Sequence, residues 1–270
     1  MTSYQLFLLF LTLYIVVLIG TGIYFSTKQK TLTDFWLAGR SAGCLSIGFS
    51  AAASWLTAGA LLAVIGFFML LGMGSIWGFV APNILALLII GFFVKKIKKL
   101  PAITQPELLE LRYGHHLRLP VAIIISIVMI LFTVADIKGF ALVLQVFYGV
   151  DAVHAAIIVG LAVAAYVTLG GLSAVIATDA IQFLFLSSFI LLMAFVVMGE
   201  ASSTSEMSFS TVVSNSPASW WNPMSIGLPM VLIFVFAIVP GWISEQDPWQ
   251  RIWAARDAAA ARNGMFLGSL

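Results

Sequence analysis

Between two long apolar stretches of this chain, residues 170–182 read Gly-Gly-Leu-Ser-Ala-Val-Ile-Ala-Thr-Asp-Ala-Ile-Gln. The adjacent glycines Gly170 and Gly171 permit a tight turn, because a residue without a Cβ adopts backbone conformations that are closed to the others. Thr178 or Asp179 can then cap the following helix by accepting hydrogen bonds from its free backbone N–H groups. The segment therefore predicts a cytoplasmic turn between two helices, and it favours capping over ion binding as the role of Asp179.

The chain as a whole is too hydrophobic for a water-soluble fold. It is 61% hydrophobic and only 9% charged, whereas soluble domains carry about 25% charged residues. A transmembrane helix needs about 20 mostly apolar residues. Seven stretches meet this requirement and an eighth begins at 263–270, which predicts an integral membrane protein. The seven predicted spans are 3–25, 44–71, 75–94, 120–148, 155–176, 180–199 and 225–244.

Basic residues are concentrated in every second loop between the predicted spans. Of the thirteen Lys and Arg residues, all but Lys138 lie in three predicted loops. These twelve are Lys28, Lys30, Arg40, Lys95, Lys96, Lys98, Lys99, Arg112, Arg118, Arg251, Arg256 and Arg262. Positively charged loops stay cytoplasmic during membrane insertion. We therefore expect a multi-pass protein of the cell membrane (plasma or inner), with its N-terminus and the loop 200–223 outside.

Two spans contain features that interrupt helices. The second has a weakly apolar centre of Gly, Ala, Ser and Thr between Ile47 and Leu61. Such small residues let helices pack closely; alternatively, the helix breaks there and frees backbone groups to bind an ion or solute. Composition favours packing, whereas the length of the span favours a break. The seventh span contains Pro240-Gly241, and two interrupted spans in corresponding positions indicate a transporter binding site.

Three stretches resemble the sodium/solute symporter family, whose members include proline, sugar, pantothenate and choline transporters. Gly170, Gly171, Thr178, Asp179 and Gln182 match its signature Gly-Gly-x-x-Ala-Val-x-x-Thr-Asp-x-x-Gln. The stretch 34–41 (DFWLAGRS) is similar to the loop before the first core helix of the family. The pattern Trp242-x₃-Gln246-x₃-Gln250-Arg251-x₂-Ala254-Ala255-Arg256 is similar to the exit of its seventh span.

The resemblance implies an all-α membrane fold of inverted five-plus-five helix repeats with an extra leading helix, truncated here after about seven spans. Residues 1–270 would form one incomplete membrane domain, with a first repeat at about 44–199 and a second from about 225. The sodium site of the family also needs hydroxyl-bearing residues well beyond residue 270. We therefore expect the chain to be a fragment, the N-terminal portion of a longer transporter.

The resemblance also implies where ions and solute bind. Sodium would be held by the backbone carbonyls of Ala53 and Leu56 in the interrupted second span, since sodium prefers hard oxygen ligands. Candidates for substrate binding or coupling are Ser54, Trp55, Thr57, Asp136, Trp242 and Gln246. Trp55 replaces an aspartate of the proline-transporting branch, and choline-type members carry tryptophan there. Its ring either holds a quaternary ammonium by cation–π attraction or, as we favour, only packs against neighbouring helices.

Asp136 and Lys138 lie within the fourth span. Ionisable residues at membrane depth are costly and are functional by default. Residues at i and i+2 lie on different faces of a helix, so Lys138 is expected to extend toward the external side. Asp136 is expected to face the central cavity, where it would meet a substrate amine, a proton, or Lys138 through water.

Together these features predict sodium-coupled symport of a small organic solute by alternating access. The alternative is a symporter-like sensory membrane module of a signalling protein. An enzyme is disfavoured because no nucleophilic triad, paired carboxylates or metal-ligand cluster lies at one depth. The expected partners are sodium, the solute and the lipid bilayer, without an organic cofactor, a metal other than sodium, nucleic acid or an obligate protein partner.

Overall fold

The computed structural model describes residues 3–203 and 209–270, which are helical apart from turns and one isolated parallel bridge between Ala42 and Ala255. The α-helices are α1 (Ser3–Ser26), α2 (Leu32–Leu37), α3 (Cys44–Ala53), α4 (Ala58–Leu71), α5 (Val80–Ile97), α6 (Gln105–Tyr113), α7 (Arg118–Tyr148), α8 (Ala152–Ser203), α9 (Phe209–Asn215), α10 (Gly227–Ile243), α11 (Gln246–Ala254) and α12 (Ala258–Gly268). Of the predicted external loop 200–223, residues 204–208 lie outside the described residues.

Several helices have the length and composition of membrane spans. Within the described ranges, four segments qualify, namely Leu8–Ser26, Ala58–Ile97, His115–Tyr148 and Ala152–Gly199. A fifth is obtained when α10 and α11 count as one bent span. Large apolar side chains such as Phe185 and Phe236 are more than 70% exposed on these helices, as expected for surfaces that face lipid. The protein is a multi-pass membrane protein.

The second predicted span is broken, and it also packs closely. α3 ends at Ala53 and α4 begins at Ala58, with the Thr57 hydroxyl accepting a hydrogen bond from the Ala60 N–H at 3.2 Å. One turn before the break, a Cβ added at Gly48 would lie 2.8 Å from the carbonyl oxygen of Gly264 on α12. Close packing and a helix break, which the sequence leaves as alternatives, therefore both occur in the same span, at different turns.

The seventh predicted span bends by 41° between α10 and α11, at residues 244–245. The bend therefore lies one turn beyond Pro240, which remains inside α10. Proline lacks the N–H that would bond to the carbonyl four residues before it. The turn that follows it closes normally, because the Ser244 N–H donates to the Pro240 carbonyl at 3.2 Å, and the Ser244 hydroxyl donates to the same carbonyl at 2.8 Å. The predicted interruption is confirmed, with its position shifted toward Glu245.

The turn at Gly170-Gly171 is confirmed. Gly171 leaves the helical conformation with φ 53° and ψ −158°, and divides α8 into the arms 152–170 and 172–203. Both arms pack against α1, where a Cβ on Gly22 would lie 2.9 Å from the Tyr166 carbonyl oxygen and Tyr14 accepts a hydrogen bond from Gln182. The chain therefore turns back at Gly171.

The predicted cap at Thr178 or Asp179 is wrong, because the second arm restarts directly after Gly171 and both residues lie about two turns inside it. The Thr178 hydroxyl donates back to the Ala174 carbonyl at 2.9 Å.

The main apolar core lies where α3, α5, α11 and α12 meet. Ile47, Ile90, Ile252 and Met265, one from each helix, are fully buried there. The indole N–H of Trp253 donates to the Ile97 carbonyl at 3.1 Å and fixes α11 to the end of α5. Since α3 and α11 each adjoin one of the two breaks, this core holds the breaks beside each other.

Candidate functional site

The two helix breaks are in direct contact. Trp55 lies in the first break and is 7% exposed. Its ring centroid is 5.0 Å from that of Trp242, in the last turn of α10, with the ring planes tilted by 38°. The Trp55 indole N–H donates to a carboxylate oxygen of Glu245 at 2.9 Å. The break predicted to bind sodium is thus joined to the break predicted to bind substrate.

A cavity of about 410 Å³ opens between these breaks and the middle of α7. Its polar wall contains Ser54, Thr57 and the three carboxylates of Asp136, Glu245 and Asp247, and its aromatic wall contains Trp55, Phe79, Phe132 and Trp242. The rings of Phe79 and Phe132 each lie 6.4 Å from the ring of Trp242. Of the described residues that line this cavity, none is basic. We call it the acidic cavity.

Asp136 and Lys138 occupy different faces of α7. Asp136 lines the acidic cavity, and a Cβ added at Gly59 on α4 would lie 3.0 Å from its carboxylate oxygen. Lys138 is exposed and lines a separate apolar groove with Ile137 and Ala141. Among the described residues, the two side chains form no ion pair.

The other predicted site residues divide between this cavity and its surroundings. The structure places Ser54, Trp55, Thr57, Asp136 and Trp242 around the acidic cavity. Gln246 lies apart, on a neighbouring cavity, where its side-chain oxygen accepts a hydrogen bond from the Gln105 N–H at 3.2 Å. The Ala53 carbonyl accepts a bond from the Leu56 N–H at 3.0 Å within the first break. The Leu56 side chain lines a third cavity, together with Ser187.

A buried ionic cluster adjoins the acidic cavity through Asp247 and consists of Arg251, Asp179, Asp247 and Ser50. The Arg251 guanidinium is 2% exposed; it donates to Asp179 at 2.8 Å, to the Ser50 hydroxyl at 2.7 Å and to Asp247. Ser50 in turn donates to Asp179 at 2.6 Å. Arg251 is therefore a buried residue of the helix α11, whereas the sequence predicted a loop residue. Asp179 forms a buried ion pair, which replaces the predicted capping role.

Sequence reasoning missed the part played by Glu245, Asp247 and Ser50. The spacing of Asp247 and Arg251 is the i, i+4 spacing of a helical ion pair, so it was a usable signal. Glu245 follows a breaker and was visible as a polar residue at the end of an apolar span. The pairing of Arg251 with Asp179 joins residues 72 positions apart, and the local pattern contains no sign of it.

A capping box formed by Thr31 and Asp34 leads into the stretch 34–41. Thr31 accepts a hydrogen bond from the Asp34 N–H, and the Asp34 carboxylate accepts one from the Thr31 N–H at 2.9 Å. A further bond from the Lys30 N–H, together with those of Thr31, holds the pKa of Asp34 below its usual value. This loop element positions α2 against the Gly171 turn, where a Cβ would lie 2.7 Å from the Phe35 carbonyl oxygen.

Residues 35–270 match the model of the sodium:solute symporter family. The chain belongs to this family. It is 35% identical over 190 residues to sodium/glucose cotransporter 1 of Ovis aries, an alignment that covers 67% of this chain and 28% of that protein. It is 26% identical over 252 residues to the sodium/sialic acid symporter of Proteus mirabilis (strain HI4320), covering 88% of this chain and 49% of that one.

A solved structure shows the same fold. It is the substrate-bound, outward-open state of a Na⁺-coupled sialic acid symporter, to which the chain aligns with a TM-score of 0.82 at 23% identity. The alignment covers 95% of this chain and 55% of the other. The chain thus spans between about a quarter and a half of the length of the relatives that it matches.

Proposed function

We propose that this protein is a sodium-coupled secondary transporter that moves a small organic solute across the cell membrane by alternating access. The observation that carries the proposal is the direct contact of two broken helices around one cavity, through Trp55, Trp242 and Glu245. Broken helices expose backbone carbonyls and amides at mid-membrane, which can coordinate ions and solutes without placing a fixed charge there. Membership of the symporter family supports sodium as the driving ion.

Helix lengths support the proposed topology of seven spans. The segments Ala58–Ile97 and Ala152–Gly199 contain 40 and 48 residues, about twice the length that one crossing requires. Each belongs to two crossings in this proposal, with turns at Gly72 and Gly171, whose φ values are +56° and +53°. The crossing before Gly72 is completed by α3, the other half of the broken helix. α1, α7 and the bent pair α10–α11 supply the other three spans. A broken helix then opens each inverted repeat, the first over about 44–199 and the second from about 225.

We assign sodium to the carbonyl oxygens of Ala53 and Leu56, beside the Thr57 hydroxyl. The Leu56 carbonyl lies in the break, outside the hydrogen-bond pattern of α4, since α4 begins two residues later at Ala58. Solute then contacts Ser54, Trp55, Asp136 and Trp242 in the acidic cavity. Gln246 positions the start of α6 instead of touching solute, since it bonds to Gln105.

The buried ionic cluster provides a contact that opens and closes during alternating access. It ties α3 and α11, one half of each broken helix, to the second arm of α8. With the N-terminus outside and the basic loops in the cytoplasm, α3 and α11 are the cytoplasmic halves. We assign the pair of Arg251 and Asp179 to the closed cytoplasmic side of the transporter, which must separate before solute leaves inward.

The test is uptake by the purified full-length protein in liposomes, with an inward sodium gradient or an equal potassium gradient. Labelled amino acids, carboxylates, sugars and choline-like amines form the solute panel. We expect accumulation of at least one solute to require sodium. Thr57→Val removes the hydroxyl beside the proposed ion site and should raise the sodium concentration needed for half-maximal uptake, whereas the matched control Thr57→Ser keeps it. Sodium-independent uptake of every transported solute would overturn the proposed coupling.

A further inference from the structure

We infer that the acidic cavity takes a solute with a positively charged ammonium group, an inference that rests on the proposed transport function and names its substrate class. The first argument is charge. Three carboxylates, those of Asp136, Glu245 and Asp247, line the cavity, and the guanidinium of Arg251 pairs with only one of them, Asp247. A buried carboxylate is costly unless a cation compensates it, so the imbalance favours a cationic occupant.

The single guanidinium is already engaged. Arg251 binds Asp179 and one carboxylate oxygen of Asp247. The other oxygen of Asp247, Oδ2, is buried and has no hydrogen-bond partner among the described residues. Asp136 likewise forms no ion pair within that part of the chain. Acceptor oxygens on α7 and α11 thus remain available to a donor that enters the cavity between them.

The aromatic wall suits the apolar part of an ammonium ion. An ammonium or alkylated amine is attracted to an aromatic face within about 6 Å of the ring centroid. Four rings surround this cavity, and Trp55 and Trp242 lie 5.0 Å apart within it. The indole N–H of Trp242 is also buried without a partner among the described residues. That free donor matches an oxygen acceptor on the solute, such as a hydroxyl or carboxylate.

A bare metal ion fits this cavity less well than an organic cation. Among the described residues, no three Asp, Glu, His or Cys side chains converge closely enough to hold a metal ion. The carboxylates are instead spread around a space of about 410 Å³, which lies in the size range of small-molecule sites. The same argument separates this site from the sodium site proposed at the carbonyls of Ala53 and Leu56.

The test compares choline with 3,3-dimethyl-1-butanol, the neutral molecule in which carbon replaces the charged nitrogen. Binding to the purified protein is followed by tryptophan fluorescence in saturating sodium. We expect choline to bind at least about tenfold more tightly than its neutral counterpart. Asp136→Asn should abolish this preference. Glu110→Gln, which removes a carboxylate from the surface ion pair with Arg118, should keep it.

The outcomes separate this inference from the proposed function. Equal binding of the two ligands, binding of neither, or a choline preference that survives Asp136→Asn would overturn the ammonium site. In a parallel titration that starts without sodium, displacement of choline by sodium alone would show that the carboxylates hold the ion, and it would overturn the inference as well. Sodium-driven uptake limited to neutral solutes supports symport and overturns this inference. Sodium-independent uptake of choline supports the site and overturns the coupling.

Discussion

At the scale of single residues, Arg251 does most to join distant parts of the chain. It is buried among two carboxylates and a hydroxyl from α3, α8 and α11. Arg251→Met would leave Asp179 and Asp247 buried without their cation. Breaking a buried pair by removing one partner costs about 3–5 kcal/mol, which for a chain of this size lowers the melting midpoint by roughly 10 °C. Thermal unfolding in detergent, followed by circular dichroism, measures the shift.

The chain offers a matched control for this variant at Arg256. Its guanidinium lies 3.3 Å from Asp257, and both side chains are more than half exposed. Exposed ion pairs contribute little to stability because solvent screens them. Arg256→Met should therefore leave the midpoint within about 2 °C of the original. Equal losses from the two variants would show that the buried cluster adds nothing specific to the stability of the fold.

Asp179 illustrates how far a single residue can be understood from the sequence. The glycines Gly170-Gly171 that precede it correctly indicated a turn, and the carboxylate side chain alone suggested a helix cap. The helix restarts immediately after Gly171, however, and this places Asp179 two turns further in, opposite α11. Its true partner lies 72 residues away and is set by helix packing. Asp136 was easier to place, because a carboxylate inside an apolar span is expected on one of the few helix faces that avoid lipid.

At the scale of helices, the contact between α3 and α12 depends on small residues. A Cβ at Gly48 would lie 2.8 Å from the Gly264 carbonyl oxygen and 3.1 Å from Leu267. Gly48→Ala therefore forces the two helices apart, and overpacking of this kind costs about 1–3 kcal/mol. We expect a lower melting midpoint and weaker packing of α12, measured by thermal unfolding and by hydrogen exchange of the α12 amides.

Gly66 on α4 provides the control for Gly48→Ala. It is also a helical glycine, but a Cβ there would meet no atom within 4 Å. Alanine has a higher helix propensity than glycine, so Gly66→Ala should keep or raise the midpoint. If Gly48→Ala behaved like Gly66→Ala, the close approach of α3 and α12 would be refuted.

The helices also show which features of the sequence were sufficient to predict the helix breaks. Both breaks were visible as departures from an apolar helix, one by small polar residues and the other by Pro240. Their exact positions depended on hydrogen bonds that composition does not encode, such as the Thr57 cap and the Ser244 bond to Pro240. The carboxylates of the acidic cavity come from α7 and from the residues that follow α10, and only the packed structure brings them together.

At the scale of the whole molecule, the distribution of basic residues predicts the orientation in the membrane, and single cysteines can test it. Cys44 is the only cysteine, so Cys44→Ser gives a background without thiols. His116 and Ser219 are both exposed, the first in a basic loop and the second in the loop 200–223, which has no basic residue. Because positive loops remain cytoplasmic, a membrane-impermeant maleimide should label Ser219→Cys in intact cells. It should label His116→Cys only after permeabilisation. The reverse pattern would invert the orientation, and the cluster of Arg251 and Asp179 would then close the external side instead of the cytoplasmic side.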